Sequence, residues 1–282
     1  MTPARVILIT GATSGIGRDA ALRLARAGHR VLAGGRRADA LATLAAAAPG
    51  GRLEPLRLDV ADAASVEAAS REVDRRTGGA GLDVLVNNAG YALPGPLEAL
   101  AEGDLRTLFD VNLFGLLAVT RAFLPAMRAR GAGRVVNVGS VMGRVTMPLL
   151  GAYNASKHAV AAATDALRME LAPFGVRVVL IEPGAVRSGF AATALANLAP
   201  YRDPASPYAA AVAATDAAWD RAYRLAAGPA AVSRAIERAA TSPRPASRYV
   251  VPTRYRLLLA TLAVLPVPAA DAVKRRTMGW RG

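Results

Sequence analysis

The sequence predicts an α/β fold in a single domain: a doubly wound parallel sheet in three layers, with a small helical cover over its binding edge. Three observations predict it. Short apolar runs alternate with longer amphipathic stretches from Val6 to Ser188, the signature of parallel strands and their crossover helices. A glycine-rich turn, Thr10–Gly17, stands between the first apolar run and the first amphipathic stretch. The 282 residues are 53 % hydrophobic, enough for one large core and too apolar for a disordered chain.

The elements follow in order. Strands are expected at Val6–Thr10, Arg30–Gly34, Arg52–Leu58, Leu82–Val86, Gly133–Val138 and Val176–Ile181, each short, partly β-branched and bounded by Gly, Asp or Asn. Helices are expected between them at Gly15–Ala27, Ala38–Ala47, Ala63–Thr77, Ala101–Arg130 and Tyr153–Phe174. After Ser188 the alternation stops. Residues 189–228 are Ala-rich and punctuated by Pro200, Pro204 and Pro207, which reads as short helices over a pocket. Arg248–Val251 reads as a last edge strand. Tyr255–Ala270 is apolar but broken by Pro266 and Pro268, with Lys274, Arg275 and Arg276 behind it. The expected organisation is a core over 1–188, a cover over 189–228 and a C-terminal extension over 253–282.

Composition excludes several chemistries. There is no cysteine, and the only histidines are His29 and His158, so disulfides, thiolate nucleophiles and a His-rich metal site are ruled out and no metal is expected. The net charge of +14 comes from arginines scattered along the chain, without a basic run interleaved with aromatics, so no nucleic-acid partner is expected. Residues 1–10 lack the apolar core of a signal peptide. No uninterrupted apolar run approaches about 18 residues, so no membrane span is expected and a cytoplasmic location is. The C-terminal segment is expected to pack on the domain or on a partner subunit, in preference to peripheral contact with a membrane.

The densest chemistry lies in Tyr153-Asn154-Ala155-Ser156-Lys157. Lys157 and Lys274 are the only lysines among 35 basic residues; all the others are arginine. Four residues apart on a helix, Tyr153 and Lys157 share a face. An ammonium beside a phenol is expected to lower the tyrosine pKa and make Tyr153 a general acid or base. The Thr10–Gly17 turn reads as a phosphate cradle: its glycines let the backbone approach, and the helix that follows offers free N–H groups. Its spacing is Gly-x-x-x-Gly-x-Gly, different from the common dinucleotide fingerprint. Asp59-Val60 ends the third strand, where Asp59 serves either a ligand or as a helix N-cap.

Thr10–Gly17, Asn87-Asn88-Ala89-Gly90, Tyr153-x-x-x-Lys157 and Pro183-Gly184 together resemble the short-chain dehydrogenase/reductase family in order and approximate spacing, over residues 4 to 188. The resemblance implies a Rossmann-like fold and a catalytic tetrad of Asn112, Ser140, Tyr153 and Lys157. Tyr would move the substrate proton, Ser would hydrogen-bond the substrate oxygen, Lys would hold the nicotinamide ribose, and Asn would position a water. It further implies cofactor contacts from Gly11, Thr13, Ser14, Gly15, Ile16, Gly17, Asp59, Val60, Asn88, Ala89, Gly90, Pro183, Gly184, Val186 and Ser188. Ser188 stands where the family often has threonine.

The second strand runs into Ala33-Gly34-Gly35-Arg36-Arg37, without the carboxylate that selects NAD. Arg36 suits a ribose 2′-phosphate, so NADP(H) is expected in preference to NAD(H). Arg37 is read as the start of the next helix. Val141, Met142, Met147, Leu149 and Leu150, with Phe190 from the cover, form an expected apolar pocket for a lipophilic alcohol or carbonyl substrate. The stretch Asp110–Gly115 is similar to the steroid- and retinol-dehydrogenase branch. The expected activity is hydride transfer between NADP(H) and a secondary alcohol, ketone or aldehyde. The rival reading is a non-catalytic NADP(H)-binding regulatory protein on the same fold. The family's habit of pairing its long helices implies a homodimer or homotetramer.

Overall fold

A computed structural model describes residues 3–280. Seven strands form one sheet: β1 (Val6–Ile9), β2 (Arg30–Gly35), β3 (Leu53–Arg57), β4 (Val84–Asn87), β5 (Gly133–Val138), β6 (Val176–Pro183) and β7 (Arg248–Val251). Their order is β3-β2-β1-β4-β5-β6-β7, and every pairing is parallel. Alternation of side chains across β1 divides the core. Ile7 and Ile9 pack with helices α1 (Gly15–Arg26), α2 (Ala38–Ala46) and α9 (Pro229–Thr241). Leu8, on the opposite face, joins the layer built by α3 (Ala63–Thr77), α5 (Gly115–Ala129) and Leu171 of α6 (Gly151–Leu171). The result is three layers, with strands buried on both faces as parallel sheets require.

The order of strands reverses between β1 and β4. Ligands of doubly wound sheets bind at such a switch point, outside the carboxyl ends of the strands. The glycine turn leaves β1 there, and Asn87-Asn88 leave β4 beside it.

Two expectations are corrected. The helix expected over Ala101–Arg130 is α4 (Glu102–Phe109) and α5 joined by a π-helical turn, Asp110–Phe114, so Asn112 sits in a local bulge. The combined helix Glu102–Ala129 is long and apolar enough to cross a membrane by those criteria alone, but its apolar side faces the sheet. The alternation also does not stop at Ser188. Helix α9 was not expected; it carries β6 over to β7, with Val232, Ile236, Ala239 and Ala240 buried at helical spacing against Ala20 and Leu24. Arg23 of α1 donates to Ser233 Oγ at 3.1 Å and Arg5 donates to the carbonyl of Ala240, which fastens α9 to the first residues of the fold.

The C-terminal segment continues past β7. It forms α10 (Tyr255–Val264) and α11 (Val267–Thr277), broken at Leu265-Pro266, and α10 buries only Leu259. Packing on the domain therefore accounts for one side of that helix and leaves the other uncovered. Between β6 and α9, α7 (Gly189–Ala196) and α8 (Ala209–Arg224) run over the carboxyl edge of the sheet.

Candidate active site

The glycine turn is pinned by hydrogen bonds. Thr10 Oγ1 accepts from the backbone of Asn88 at 3.0 Å and of Ala89 at 2.9 Å. Asn88 Nδ2 donates back to the carbonyls of Thr10 (3.0 Å) and Gly11 (3.2 Å). Gly11 has φ +64° and lies so close to Ala89 that a Cβ would sit 2.9 Å from its Cα. A Cβ on Gly17 would run into the Gly11 carbonyl and the Asn88 amide. Asn88 thus acts here as a brace for the turn. Gly15 (φ +53°) opens α1, and a Cβ on it would point across at Ser188, 3.5 Å from that Cβ. Thr13, Ser14 and Ile16 complete the turn and the first residues of α1, whose leading N–H groups have no intrahelical partner.

Around this turn the other expected cofactor residues gather. Arg36 leaves β2 exposed; among the described residues it has no hydrogen bond or ion pair. A Cβ on the preceding Gly35 would meet Thr13 at 2.9 Å, so the end of β2 abuts the glycine turn. Arg37 is the N-cap residue of α2. Asp59 does not cap a helix. Its Oδ1 accepts from Ala61 N at 3.1 Å, and the cap of α3 is Asp62. Val60 is buried, and its carbonyl lies where a Cβ on Gly115 would meet it at 2.6 Å. Ser188 caps α7, and Tyr223 of α8 accepts from its N–H at 2.7 Å, holding the Pro183–Ser188 loop to the cover. Tyr255 packs on Gly184, and its hydroxyl accepts from Ala185 N at 3.4 Å. Val186 forms a bridge to Ala227.

Ser140, Tyr153, Lys157 and Asn112 are all buried and close to one another. Ser140 leaves β5 beside Tyr153; its Oγ accepts from Met142 N at 3.1 Å and donates to the carbonyl of Pro183 at 3.4 Å. Lys157 Nζ lies 5.9 Å from the Tyr153 ring centroid and donates to the carbonyl of Val138 at 3.1 Å. The Asn112 side chain is fully occupied. Its Oδ1 accepts from Tyr91 N at 3.0 Å, and Nδ2 donates to Tyr91 O at 2.9 Å and Ser156 Oγ at 3.0 Å. A Cβ on Gly90 would come 2.9 Å from Asn112 Oδ1 and 3.5 Å from Lys157 Nζ, so the β4 loop fits against both.

The electrostatics differ from expectation. Burial pushes the Tyr153 phenol up to about 12, against which the hydrogen bond from Ser140 works only in part. Burial pushes Lys157 down to about 8. Desolvation of the buried phenolate is the dominant cause, and the Lys157 ammonium is engaged by the Val138 carbonyl at 3.1 Å. Tyr153 is therefore a phenol at neutral pH, and Lys157 is mostly an ammonium.

The expected pocket residues divide. Phe190 of α7 sits 5.9 Å from Tyr153, ring to ring, and Met142 packs beside Tyr153 with Ala92, Ala194 and Trp219. Val141 points elsewhere, into a cluster with Val250 and Leu259. Leu149, held at φ +58°, packs with Leu198 and Val212 under the cover. Met147 and Leu149 line a separate cavity of about 370 Å³ shared with Leu97, Asp271, Lys274 and Arg275. Leu150 is buried at the N-cap of α6.

Sequence reasoning missed Asn154, which is buried, accepts from Met147 N at 3.2 Å and donates to the carbonyls of Met142 (3.0 Å) and Val145 (2.8 Å). It ties the loop after Ser140 to the helix carrying Tyr153. Its place inside the Tyr153–Lys157 stretch was the available signal. Trp219 and Ala194 had none, because contacts across the cover leave no periodicity.

Comparison with known proteins accords with this arrangement. A family model described as short chain dehydrogenase matches residues 5–199. The NADPH-dependent 3-dehydrocapnine reductase of Ornithobacterium rhinotracheale is 32 % identical, over 95 % of each chain. Human 17-beta-hydroxysteroid dehydrogenase type 1 is 44 % identical over 66 % of this chain and 58 % of its own length. A crystal structure of a short-chain dehydrogenase from Streptomyces avermitilis superposes with a TM-score of 0.75 at 32 % identity, covering 98 % of this chain and 96 % of the other.

Proposed function

The chain belongs to the short chain dehydrogenase family, and from that premise we propose that it moves hydride between NADP(H) and a lipophilic secondary alcohol, ketone or aldehyde, with Tyr153 as the general acid or base. The observation that carries the reading is the buried Tyr153–Ser140 pair beside Lys157, directly under Phe190 and at the switch point of the sheet.

The residues fit a dinucleotide. A Cβ at Gly15 would stand 3.5 Å from that of Ser188, so the glycine keeps space open between the turn and the Pro183–Ser188 loop. Thr13, Ser14, Ile16 and the N-terminus of α1 would hold the pyrophosphate. Asp59, Val60 and the Asn88–Gly90 segment would line the adenosine and ribose side. Pro183, Gly184, Val186 and Ser188 would line the nicotinamide side. Arg36 is exposed beside Thr13 with no carboxylate partner among the described residues, so its guanidinium is free for a 2′-phosphate. The NADPH dependence named for the Ornithobacterium relative supports that choice. When bound, the dinucleotide gives or takes the hydride.

The protein's own residues do the rest. Ser140 Oγ and the Tyr153 hydroxyl are adjacent donors for one substrate oxygen, and they stabilise negative charge as it develops there. A phenol near 12 is still a far stronger acid than the alcohol being formed, so Tyr153 can protonate an alkoxide at neutral pH. Lys157 supplies positive charge next to that phenol. Asn112, with its side chain engaged by Tyr91 and Ser156, acts by holding the β4 loop against Lys157. Met142, Phe190 and Trp219 exclude water and favour an apolar substrate. Helices α7 and α8 are the substrate cover, and exposed Phe114 just before α5, Met169 on α6 and Phe174 just past it offer these two helices as a homodimer face.

The test is nicotinamide absorbance with NADPH or NADP⁺ against a panel of lipophilic ketones and secondary alcohols, run beside Tyr153→Phe. Turnover that falls about a thousandfold in the variant, with NADPH binding kept, supports the reading. Tight NADPH binding without turnover of any member would favour the regulatory alternative.

A further inference from the structure

Helix α10 is amphipathic in the inverted sense. Leu259 faces inward onto Val141 and Val250. Leu257, Ala260, Thr261 and Val264 recur at i, i+3, i+4 and i+7 on the opposite face. Leu257 is 76 % exposed and Val264 82 %, and Val267, just past the Leu265-Pro266 break, is 72 % exposed. A monomer gains nothing by placing large apolar side chains outward in a row, so such a row marks a contact surface.

Its surroundings indicate the partner. Arg254 and Arg256 stand at the start of α10, and Lys274, Arg275 and Arg276 end α11. The sole acidic residue between 252 and 280 is Asp271, already paired with Lys274 at 2.6 Å. A second copy would set arginine against arginine in a chain already at +14. An anionic surface meets both features at once. At ten residues α10 is about 15 Å long, half of the roughly 30 Å hydrocarbon core, so it can lie in an interface but not span it.

We propose that the outward face of α10 and the start of α11 dock the protein on an anionic lipid surface, with Leu257, Val264 and Val267 in the acyl boundary and the arginines at the headgroups. This surface stands independently of the proposed reaction. It also begins at Tyr255, the residue packed on Gly184, so docking brings lipid next to the Pro183–Ser188 loop and the cover.

The experiment is flotation of the full-length protein with vesicles of phosphatidylcholine alone or with phosphatidylglycerol, at low and high salt, beside sedimentation without lipid. Wild type should float with the anionic vesicles and be released by salt. Leu257→Asp with Val264→Asp should weaken binding about tenfold or more. Arg256→Gln, Arg275→Gln and Arg276→Gln together should weaken it about a hundredfold, at roughly fivefold per arginine. Both variants change exposed positions, and unchanged thermal unfolding and NADPH binding verify their fold. Wild type that stays out of the anionic fraction overturns the proposal. Equal binding to neutral vesicles overturns the anionic partner. A dimer without lipid that falls apart on Leu257→Asp with Val264→Asp assigns the face to a second copy instead.

Discussion

The two walls of the candidate site are built by different means. The wall at β1 and β4 is pinned by part-buried hydrogen bonds to its own backbone. Thr10 Oγ1 and Asn88 Nδ2 make four hydrogen bonds that tie the Thr10-Gly11 backbone to that of Asn88-Ala89, and Ala12 N donates to Gly34 O at 3.0 Å. The wall at α7 and α8 is held by side chains at its margins. Tyr201 and Tyr208 reach Ala99 and Glu98, Asn197 reaches Ala92 at 3.4 Å, and Phe190 touches Tyr153 while remaining 41 % exposed. Leu198 and Val212 anchor this wall on Leu149, but its exposed hydrogen bonds and half-exposed Phe190 lower the cost of local opening around Tyr153. The rigid wall is thus suited to a constant ligand and the looser one to admitting and releasing a variable one.

Changes to the rigid wall should have the larger effects. Gly17→Ala forces a methyl into the Gly11 carbonyl, where neither side can yield cheaply. It should cost about 2 kcal/mol of stability and weaken NADPH binding about a hundredfold, read by thermal unfolding and nucleotide titration. Ser140→Ala removes one of two donors to the substrate oxygen; kcat should fall about a hundredfold with nucleotide affinity unchanged. Arg36→Gln should cut the preference for NADPH over NADH about tenfold or more, seen in the ratio of kcat/KM values. If it leaves that ratio alone, Arg36 does not read the phosphate.

Smaller effects test the interior and the cover. Lys157 is pushed down to about 8 from 10.5, so the fold opposes its charge. Below pH 8 the folded state carries the full burden of the buried ammonium. Between about 8 and 10.5 the folded protein has lost the proton and the unfolded chain has not, so stability rises with pH. Lys157→Met should therefore be more stable than wild type at pH 7 by an amount that shrinks across that window. Phe190→Leu should change KM for bulky ketones a few-fold and leave NADPH binding untouched; an equal effect on both would mean that the walls are one unit.

The same contrast explains what was legible in the sequence. Six strands through Val176 could be read from apolar runs, and the residues of the rigid wall from glycines and short polar motifs, because backbone conformation leaves local marks. Helix α9 was equally readable from Val232, Ile236, Ala239 and Ala240, but three prolines and an alanine-rich stretch suggested that the strand–helix alternation had given way to short cover helices. The pocket was less legible. Val141 and Met142 are adjacent and both pack in the cluster of Leu259, yet only Met142 also reaches Tyr153, a choice made by the turn that Ser140 caps. The phenol's pKa was misjudged for a related reason: helical spacing reveals the neighbouring lysine but not the loss of water around both groups.

The clasp between α9 and α1 bears on how the chain comes into being. Residues 1–188 hold every group of the proposed tetrad, but not all of their own interior, because Ala20 and Leu24 rest on Val232, Ile236 and Ala240. A nascent chain emerging from the ribosome has made its glycine turn and its tyrosine long before it owns the helix that closes over α1. That segment, more than two hundred residues downstream of its partner, arrives late, as contacts of large sequence separation do. Synthesis halted before Pro229 should therefore yield a fragment with a complete set of motifs and no stable fold.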